Sequence, residues 1–391
     1  MLRFQTAGES HGQALVAILS GMPAGLCVDF EYVNRELKRR QGGYGRGGRM
    51  KIESDAAQFL SGVRHGRTIG SPITLLISNH DWENWKEALA VEDSPETHAK
   101  QKPLTRPRPG HADLAGCLKY NFPDARYVLE RASARETAAR VAAGALAKLF
   151  LKGFGVEVAS HVVAVGSVAL EDEAVSFEKV LALRGVEEIL LGCVDPAVEV
   201  RMKEEVDKAL EARDTVGGTF EVIAHGVPPG LGSSAQWDER LDGQLAQAVM
   251  SIQGVKAVEI GDGIESAARP GSKVHDEIGY DREAARFTRK SNRAGGLEGG
   301  ISNGEDIVVR GYLKPISTLR RPLESVDFRT KDTVKAAYER SDVCVLPAAG
   351  VIGEAMVALT ISRSFLEKFG GDSMGEIKRN YLAYKEQVRQ F

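Results

Sequence analysis

The chain has 391 residues with a formal net charge of −3; 43% are hydrophobic, 27% are charged and 42 are glycine. Such a balance belongs to a globular enzyme with a sizeable core, long enough for two or three domains, and it excludes a generally basic nucleic-acid surface. Cys27, Cys117, Cys193 and Cys344 lie far apart with no Cys-x-x-Cys pair, which argues against a disulfide framework or a thiolate metal site.

No run of about 18 uninterrupted apolar residues reads as a membrane span, and no signal peptide is visible behind Met1. A cytoplasmic protein without membrane contact is expected. In chain order, Gly8-Glu-Ser-His-Gly12 comes first and reads as a tight turn after an opening strand, with Ser10 and His11 facing a ligand. Its Gly-x-Ser-x-Gly spelling also fits a nucleophile elbow, but that turn needs several strands ahead of it and only seven residues precede Gly8.

A charged helical pattern over Asn34 to Arg40 leads into a glycine-rich stretch. Between Lys38 and Lys51 it holds Arg39, Arg40, Arg46 and Arg49 with five glycines and no acid. Glycine lets backbone approach a ligand, and guanidinium forks grip carboxylate and phosphate, so a small multiply charged anion is the expected partner. Residues 60–69 are faintly similar to 297–306, which raises an internal duplication.

Pro72 to Ser78 reads as a buried strand. Residues 79–110 form a long excursion with Trp82 and Trp85. It ends in the stiff Pro103-Leu-Thr-Arg-Pro-Arg-Pro-Gly110, where Lys100, Lys102, Arg106, Arg108 and His111 make a second cationic cluster. Ser133 to Glu136 spells a capping box before an Ala/Val/Leu helix that stops at Gly153 and Gly155. Arg131, Arg135 and Arg140 surround that helix start, a natural seat for phosphate.

Residues 155–168, 219–227 and 306–313 are strand-like. Asp195-Pro196 starts a helix with Val198, Met202, Val206 and Leu210 on one face, and Leu241, Leu245, Val249 and Ile252 repeat that stripe. Ala336 to Asp342 reads as a helix end running into Val343 to Pro347, and two C-terminal helices break at Gly370-Gly371. No steady βαβ rhythm appears. Neither Gly43 to Gly48 nor Gly230 to Ala235 makes a proper dinucleotide fingerprint, and no P-loop is present. His65, His80, His98, His161, His225 and His275 read as structural or exposed, with no metal-ligand spacing.

Gly8–Gly12, Arg106-Pro-Arg-Pro-Gly-His-Ala-Asp113 and Arg131-Ala-Ser-Ala-Arg-Glu-Thr-Ala-Ala-Arg140 resemble the chorismate synthase family. So do Val258–Gly263, Gly299–Gly304, Lys314–Thr318 and Arg340-Ser-Asp342, in order along essentially the whole chain. The resemblance implies an α/β (α+β) fold with helices between antiparallel sheets, one interleaved domain over residues 1–391, and a homotetramer. It implies conversion of 5-enolpyruvylshikimate 3-phosphate to chorismate and phosphate, a 1,4-elimination without net redox change that requires reduced FMN.

Carried over by motif, His11 would protonate the departing phosphate, His111 would protonate or stabilise reduced flavin near N1, and Asp342 would work with flavin N5. A helix-terminal or turn-forming role is the alternative for Asp342. Substrate contacts fall on Ser10, Arg40, Arg46, Arg49, Arg108 and Arg135; Arg40 and Arg46 also match positions assigned to NADP, with NADPH as the reductant. Flavin contacts fall on Arg131, Ala132, Ser133, Gln253, Gly254, Gly299, Lys314, Pro315, Ile316, Ser317, Thr318 and Arg340. Gly254 replaces an alanine frequent in that family, a change expected to loosen the loop slightly. Two rival readings remain: an RGG-like RNA binder using Gly45 to Arg49 with Tyr44 as its aromatic, and a nicotinamide or flavodoxin-like oxidoreductase.

Overall fold

The computed structural model describes residues 1–47, 54–93, 100, 102–171, 175–185, 190–339 and 342–391. Arg49, Arg340 and His98, and part of the 79–110 excursion, lie outside them.

Apolar, β-branched runs in its two central strands build a first antiparallel sheet from β1 (Arg3–Ala7), β2 (Ala14–Ser20), β3 (Gln58–Phe59) and β4 (Ile73–Ser78), in the order β1-β2-β4-β3. Leu15, Ala17 and Leu19 of β2 pack with Ile73, Leu75 and Ile77 of β4 on its buried face. Between β2 and β3 runs helix α1 (Phe30–Gln41), capped by Asp29, whose side chain accepts from the Tyr32 N–H. Then come α2 (Asp113–Tyr120), α3 (Arg126–Ala132) and α4 (Thr137–Lys152).

A second antiparallel sheet follows: β5 (Glu157–Val165), β6 (Val168–Ala169), β7 (Gly218–His225), β8 (Val255–Ile260) and β9 (Ile307–Leu313), ordered β8-β9-β7-β5-β6. Helix α5 (Pro196–Glu211) precedes β7 and α6 (Leu241–Met250) precedes β8. The chain ends in α7 (Leu346–Phe369) and α8 (Met374–Gln390).

Helix α4 lies on β2 and β4 and packs against α7, which in turn lies on β5 and β7, while α1 and α6 fill the layer beside them. The helices are thus sandwiched between two antiparallel sheets, the α+β arrangement expected. Both central helices are apolar nearly all round because both faces are covered. They approach closely at Gly144, where a Cβ would stand 2.3 Å from that of Ala355. By average hydropathy (1.3 over 18 residues) α7 is long and apolar enough to cross a membrane, although no uninterrupted apolar run exists. Yet 83% of that window is buried inside the protein, so α7 is its core helix. Glu354 of α7 is fully buried and paired with Arg39, Lys148 and Arg184.

Several local expectations are revised. Residues 333–335 form a strand paired with Glu324–Val326, residues 336–339 are irregular, and the next helix starts at Leu346 with Pro347 in its first turn. Among the described residues, 336–339 do not form the helix end expected before Asp342, and the chain just ahead of them is held as a strand by Glu324–Val326. Ser133 does cap, accepting from the Arg135 N–H. The turn it starts is 3-10 over Ala134–Glu136, and the Glu136 carboxylate bonds Thr6 and Arg140 instead of closing a box. The strand expected over 155–168 breaks at Gly166. Leu210 is largely exposed at the end of its stripe. Residues 60–69 and 297–306 each hold a small hairpin, but at different positions along the matched segments, so no duplicated unit emerges.

Candidate active site

The turn between β1 and β2 is tied to α3. Ser10 N donates to the Glu130 carbonyl at 2.9 Å and His11 N to Glu130 Oε2 at 2.8 Å; His11 Nδ1 lies 3.0 Å from both carboxylate oxygens. Trp85, from the excursion, stacks on the imidazole at 4.2 Å between centroids. Glu130 is buried, which works to raise its pKa, but the hydrogen bond and charge of His11, with Arg126 behind it, hold it below the ordinary value.

Arg40, in the last turn of α1, and Arg135, between α3 and α4, share one buried carboxylate. Arg40 reaches Asp55 Oδ2 at 2.8 Å and Arg135 reaches Oδ1 at 2.6 Å. Arg135 Nε donates to Asn79 Oδ1 at 2.9 Å, and Asn79 Nδ2 donates to the carbonyls of Glu9 (3.1 Å) and Gly12 (2.6 Å). The histidine turn and the arginine pair are therefore one hydrogen-bonded network. Two cations on one carboxylate leave excess positive charge out of water. Burial, opposed by Asp55 but reinforced by Arg135 and Arg46, pushes the Arg40 pKa down to about 10, and Arg40 Nε is buried with no hydrogen-bond partner.

Asp342 sits against the glycine-rich loop. Its Oδ1 accepts from Gly47 N at 2.5 Å, its Oδ2 is 3.4 Å from Arg46 Nε, and the next residue donates from Val343 N to the Gly45 carbonyl. Tyr44, the aromatic an RNA-stacking role would use, is half-buried, and its hydroxyl donates to Asp207 at 2.6 Å.

His111 makes a second histidine–carboxylate pair, with Nδ1 2.6 Å from Asp113 Oδ1 at the start of α2. Arg108 grips the same carboxylate through Nε (2.8 Å) and a terminal nitrogen (3.0 Å), and donates to Thr318 at 3.0 Å. Burial opposes ionisation of Asp113, yet His111 and Arg108 hold it well below the usual carboxylate range. Lys314 Nζ donates to the Gly110 carbonyl and Lys314 N to that of Gly254, while the Ile316 carbonyl accepts from Thr215. Gly254 has φ +88°, the left-handed region, so glycine fits this backbone without the strain an alanine would bear.

An open cavity of about 500 Å³ is walled by Thr6, Arg131, Glu136, Arg140, Ser251 and Gln253 among others; His11, His111, Arg40 and Arg135 are not on its wall. Arg131 donates to the Thr6 and Gly8 carbonyls and Gln253 Nε2 to Glu136, whereas Gln253 Oε1 is buried with no hydrogen-bond partner. Gly299 stands apart from these groups, in a hairpin bonded to Leu231 and Leu241. Sequence reasoning missed the partners Asp55, Asn79, Trp85, Asp113, Glu130 and Glu136. Asp113 and Glu130 end or adjoin cationic motifs, a signal that was available; Asp55 and Asn79 lie in irregular segments that carry none.

The chain is an α+β sandwich in which one histidine–carboxylate pair is joined to buried, carboxylate-sharing arginines and a second stands beside Arg108. The family profile described as chorismate synthase matches residues 2–366. The chain belongs to the chorismate synthase family, and is accordingly an enzyme acting on a small molecule. It is 65% identical to the chorismate synthases of Koribacter versatilis (strain Ellin345) and Acidobacterium capsulatum, and 56% identical to that of Geobacter sulfurreducens, each over the whole of both chains. A solved structure titled "Crystal Structure of Chorismate Synthase" superposes with a TM-score of 0.79 at 43% identity, covering 100% of this chain and 99% of that one.

Proposed function

We propose that the protein is a carbon–oxygen lyase that eliminates phosphate from 5-enolpyruvylshikimate 3-phosphate to give chorismate, the 1,4-elimination of the shikimate pathway, with reduced FMN as cofactor. The observation that carries this reading is the network joining His11, Asn79, Arg135, Asp55 and Arg40. It joins the His11 turn to buried guanidinium groups by hydrogen bonds, which supports a role on a substrate with two carboxylates and a phosphate.

The cavity beside Arg131 suits a flavin mononucleotide: the orphaned Gln253 Oε1 offers an acceptor to a ligand N–H or O–H, and Arg131 and Arg140 offer cations to its phosphate. Arg131, Ala132, Ser133, Gln253, Gly254, Lys314, Pro315, Ile316, Ser317 and Thr318 would hold it, with Arg340; Gly299, apart in its hairpin, would not. When bound there, reduced flavin would supply electron density for breaking the carbon–oxygen bond. Arg40, Arg46, Arg49, Arg108, Arg135 and Ser10 bind and orient the substrate anions. His11 gives a proton to the departing phosphate, His111 keeps a proton at the cofactor's edge, and Asp342 assists loss of the ring proton. NADPH is the candidate reductant, with Arg40 and Arg46 as its contacts. The enzyme works as one catalytic domain in a cytoplasmic homotetramer; the main hydrophobic core, shared by residues from Leu2 to Tyr381, supports the first point, and light scattering tests the assembly.

Replacing His11 or His111 with alanine lowers kcat by about 10²- to 10⁴-fold, the usual contribution of a positioned acid or base. A raised KM with kcat unchanged in either variant would reassign that residue to binding alone.

A further inference from the structure

We propose that Glu130 is a positioning residue that locks His11 into one tautomer, with the ring proton on Nδ1 and Nε2 as the atom that exchanges a proton with the substrate. This rests on the reading of His11 as the acid for the departing phosphate.

An ionised carboxylate only accepts hydrogen bonds, so an imidazole nitrogen held against one carries a proton. Both Glu130 oxygens lie 3.0 Å from Nδ1, and Oε2 also takes the His11 backbone N–H at 2.8 Å. The Glu130 carbonyl takes the Ser10 N–H as well, so side chain and backbone of one residue fix both ring and turn. Glu130 has its own support. Arg126 lies one helical turn earlier, 3.4 Å from Oε1, and is anchored on Glu339 at 3.1 Å and the Lys102 carbonyl at 3.2 Å.

A ring flip, the motion that would exchange the nitrogens, is opposed by Trp85 stacked on the imidazole face; Lys102 and Arg126 lie over that indole at 4.0 and 5.1 Å. Among the described residues, the charged groups bonded to His11 or stacked behind it are Glu130 and Arg126 from α3, and Lys102 across Trp85. With Nδ1 committed, protonated His11 has Nε2–H as its one free donor and neutral His11 has Nε2 as its one acceptor. A histidine free to choose tautomers would spend part of its time with the wrong nitrogen toward the phosphate. His111 Nδ1 likewise lies 2.6 Å from a carboxylate oxygen, that of Asp113, although Arg108 also stands 3.2 Å from that nitrogen.

The test is two-bond 1H–15N correlation spectroscopy on the full-length protein labelled with 15N-histidine, with His11→Ala assigning the signals. Neutral His11 in the unsubstituted protein should be the Nδ1–H form; an Nε2–H form there overturns the proposal without any variant at Glu130. In Glu130→Gln, where one amide oxygen must serve two donors, the fixed tautomer should give way to a mixture. Its kcat should fall about 10- to 100-fold with KM within about threefold, as for other carboxylates that orient a functional histidine. His11→Ala combined with Glu130→Gln should be no slower than His11→Ala alone, a coupling that a purely structural role does not produce. A Glu130→Gln enzyme with unsubstituted kcat overturns the proposal. Should His11→Ala keep its kcat, the acid role of His11 falls, and the tautomer spectrum still decides on Glu130.

Discussion

Asp55 is the residue on which the arginine pair depends. Arg40 and Arg135 are both nine-tenths or more buried, and this one carboxylate stands between them at 2.8 and 2.6 Å. Removing its charge takes the shared carboxylate away from two guanidinium groups held out of water. Asp55→Asn should therefore lower the free energy of unfolding by about 3–5 kcal/mol, the cost of breaking a buried pair from one side. Urea unfolding reads this directly, and an unchanged midpoint and slope would mean the pair is solvated. The cationic half of this arrangement was legible in the sequence, because arginines gathered among glycines without an acid are rare in a chain of net charge −3. The anionic half was legible only at Asp113, which closes the motif of its own partners Arg108 and His111. Asp55 meets Arg135 and Glu130 meets His11 only when segments 80 and 119 residues apart are folded together.

Among the elements, the crossing of α4 and α7 sets how close the two sheets stand. Gly144→Val should cost at least about 1–3 kcal/mol, since its Cβ would fall 2.3 Å from that of Ala355 and neither backbone has room to retreat. A Tm equal to that of the unsubstituted protein would show that the helices separate freely. Elements with strong local patterns were readable beforehand: β4 as a short, β-branched apolar run, α5 by Asp195-Pro196 and the Val198–Met202–Val206 stripe, and the α7–α8 break by Gly370-Gly371. Failures fell where distant partners decide. Thr333–Lys335 is a strand because Glu324–Val326 pairs with it, and Glu136 abandons its capping box because Thr6 and Arg140 offer closer bonds.

For the molecule as a whole, charge buried between the sheets makes stability depend on pH. Glu36 and Glu354 in the helical layer, Glu221 on the second sheet, and Asp55 and Asp113 in the candidate site all have pKa values held below their ordinary range. In each, burial works the other way but the paired cations prevail. A carboxyl whose folded pKa is depressed contributes stability that is present above its unfolded pKa of about 4 and lost as pH falls through the folded value. Thermal stability should thus be insensitive to these groups between about pH 5 and 8 and drop steeply below about pH 4; a flat Tm down to pH 2 would contradict the pairing. The central claim, that this array removes phosphate from the shikimate ester with flavin neither consumed nor oxidised, is tested by one anaerobic assay. The substrate is 5-enolpyruvylshikimate 3-phosphate, and dithionite-reduced FMN is present in catalytic amount, with NADPH plus FMN in a parallel arm. Phosphate and chorismate should appear one for one with the flavin still reduced at the end, whereas stoichiometric flavin oxidation, or turnover without reduced flavin, would contradict the account.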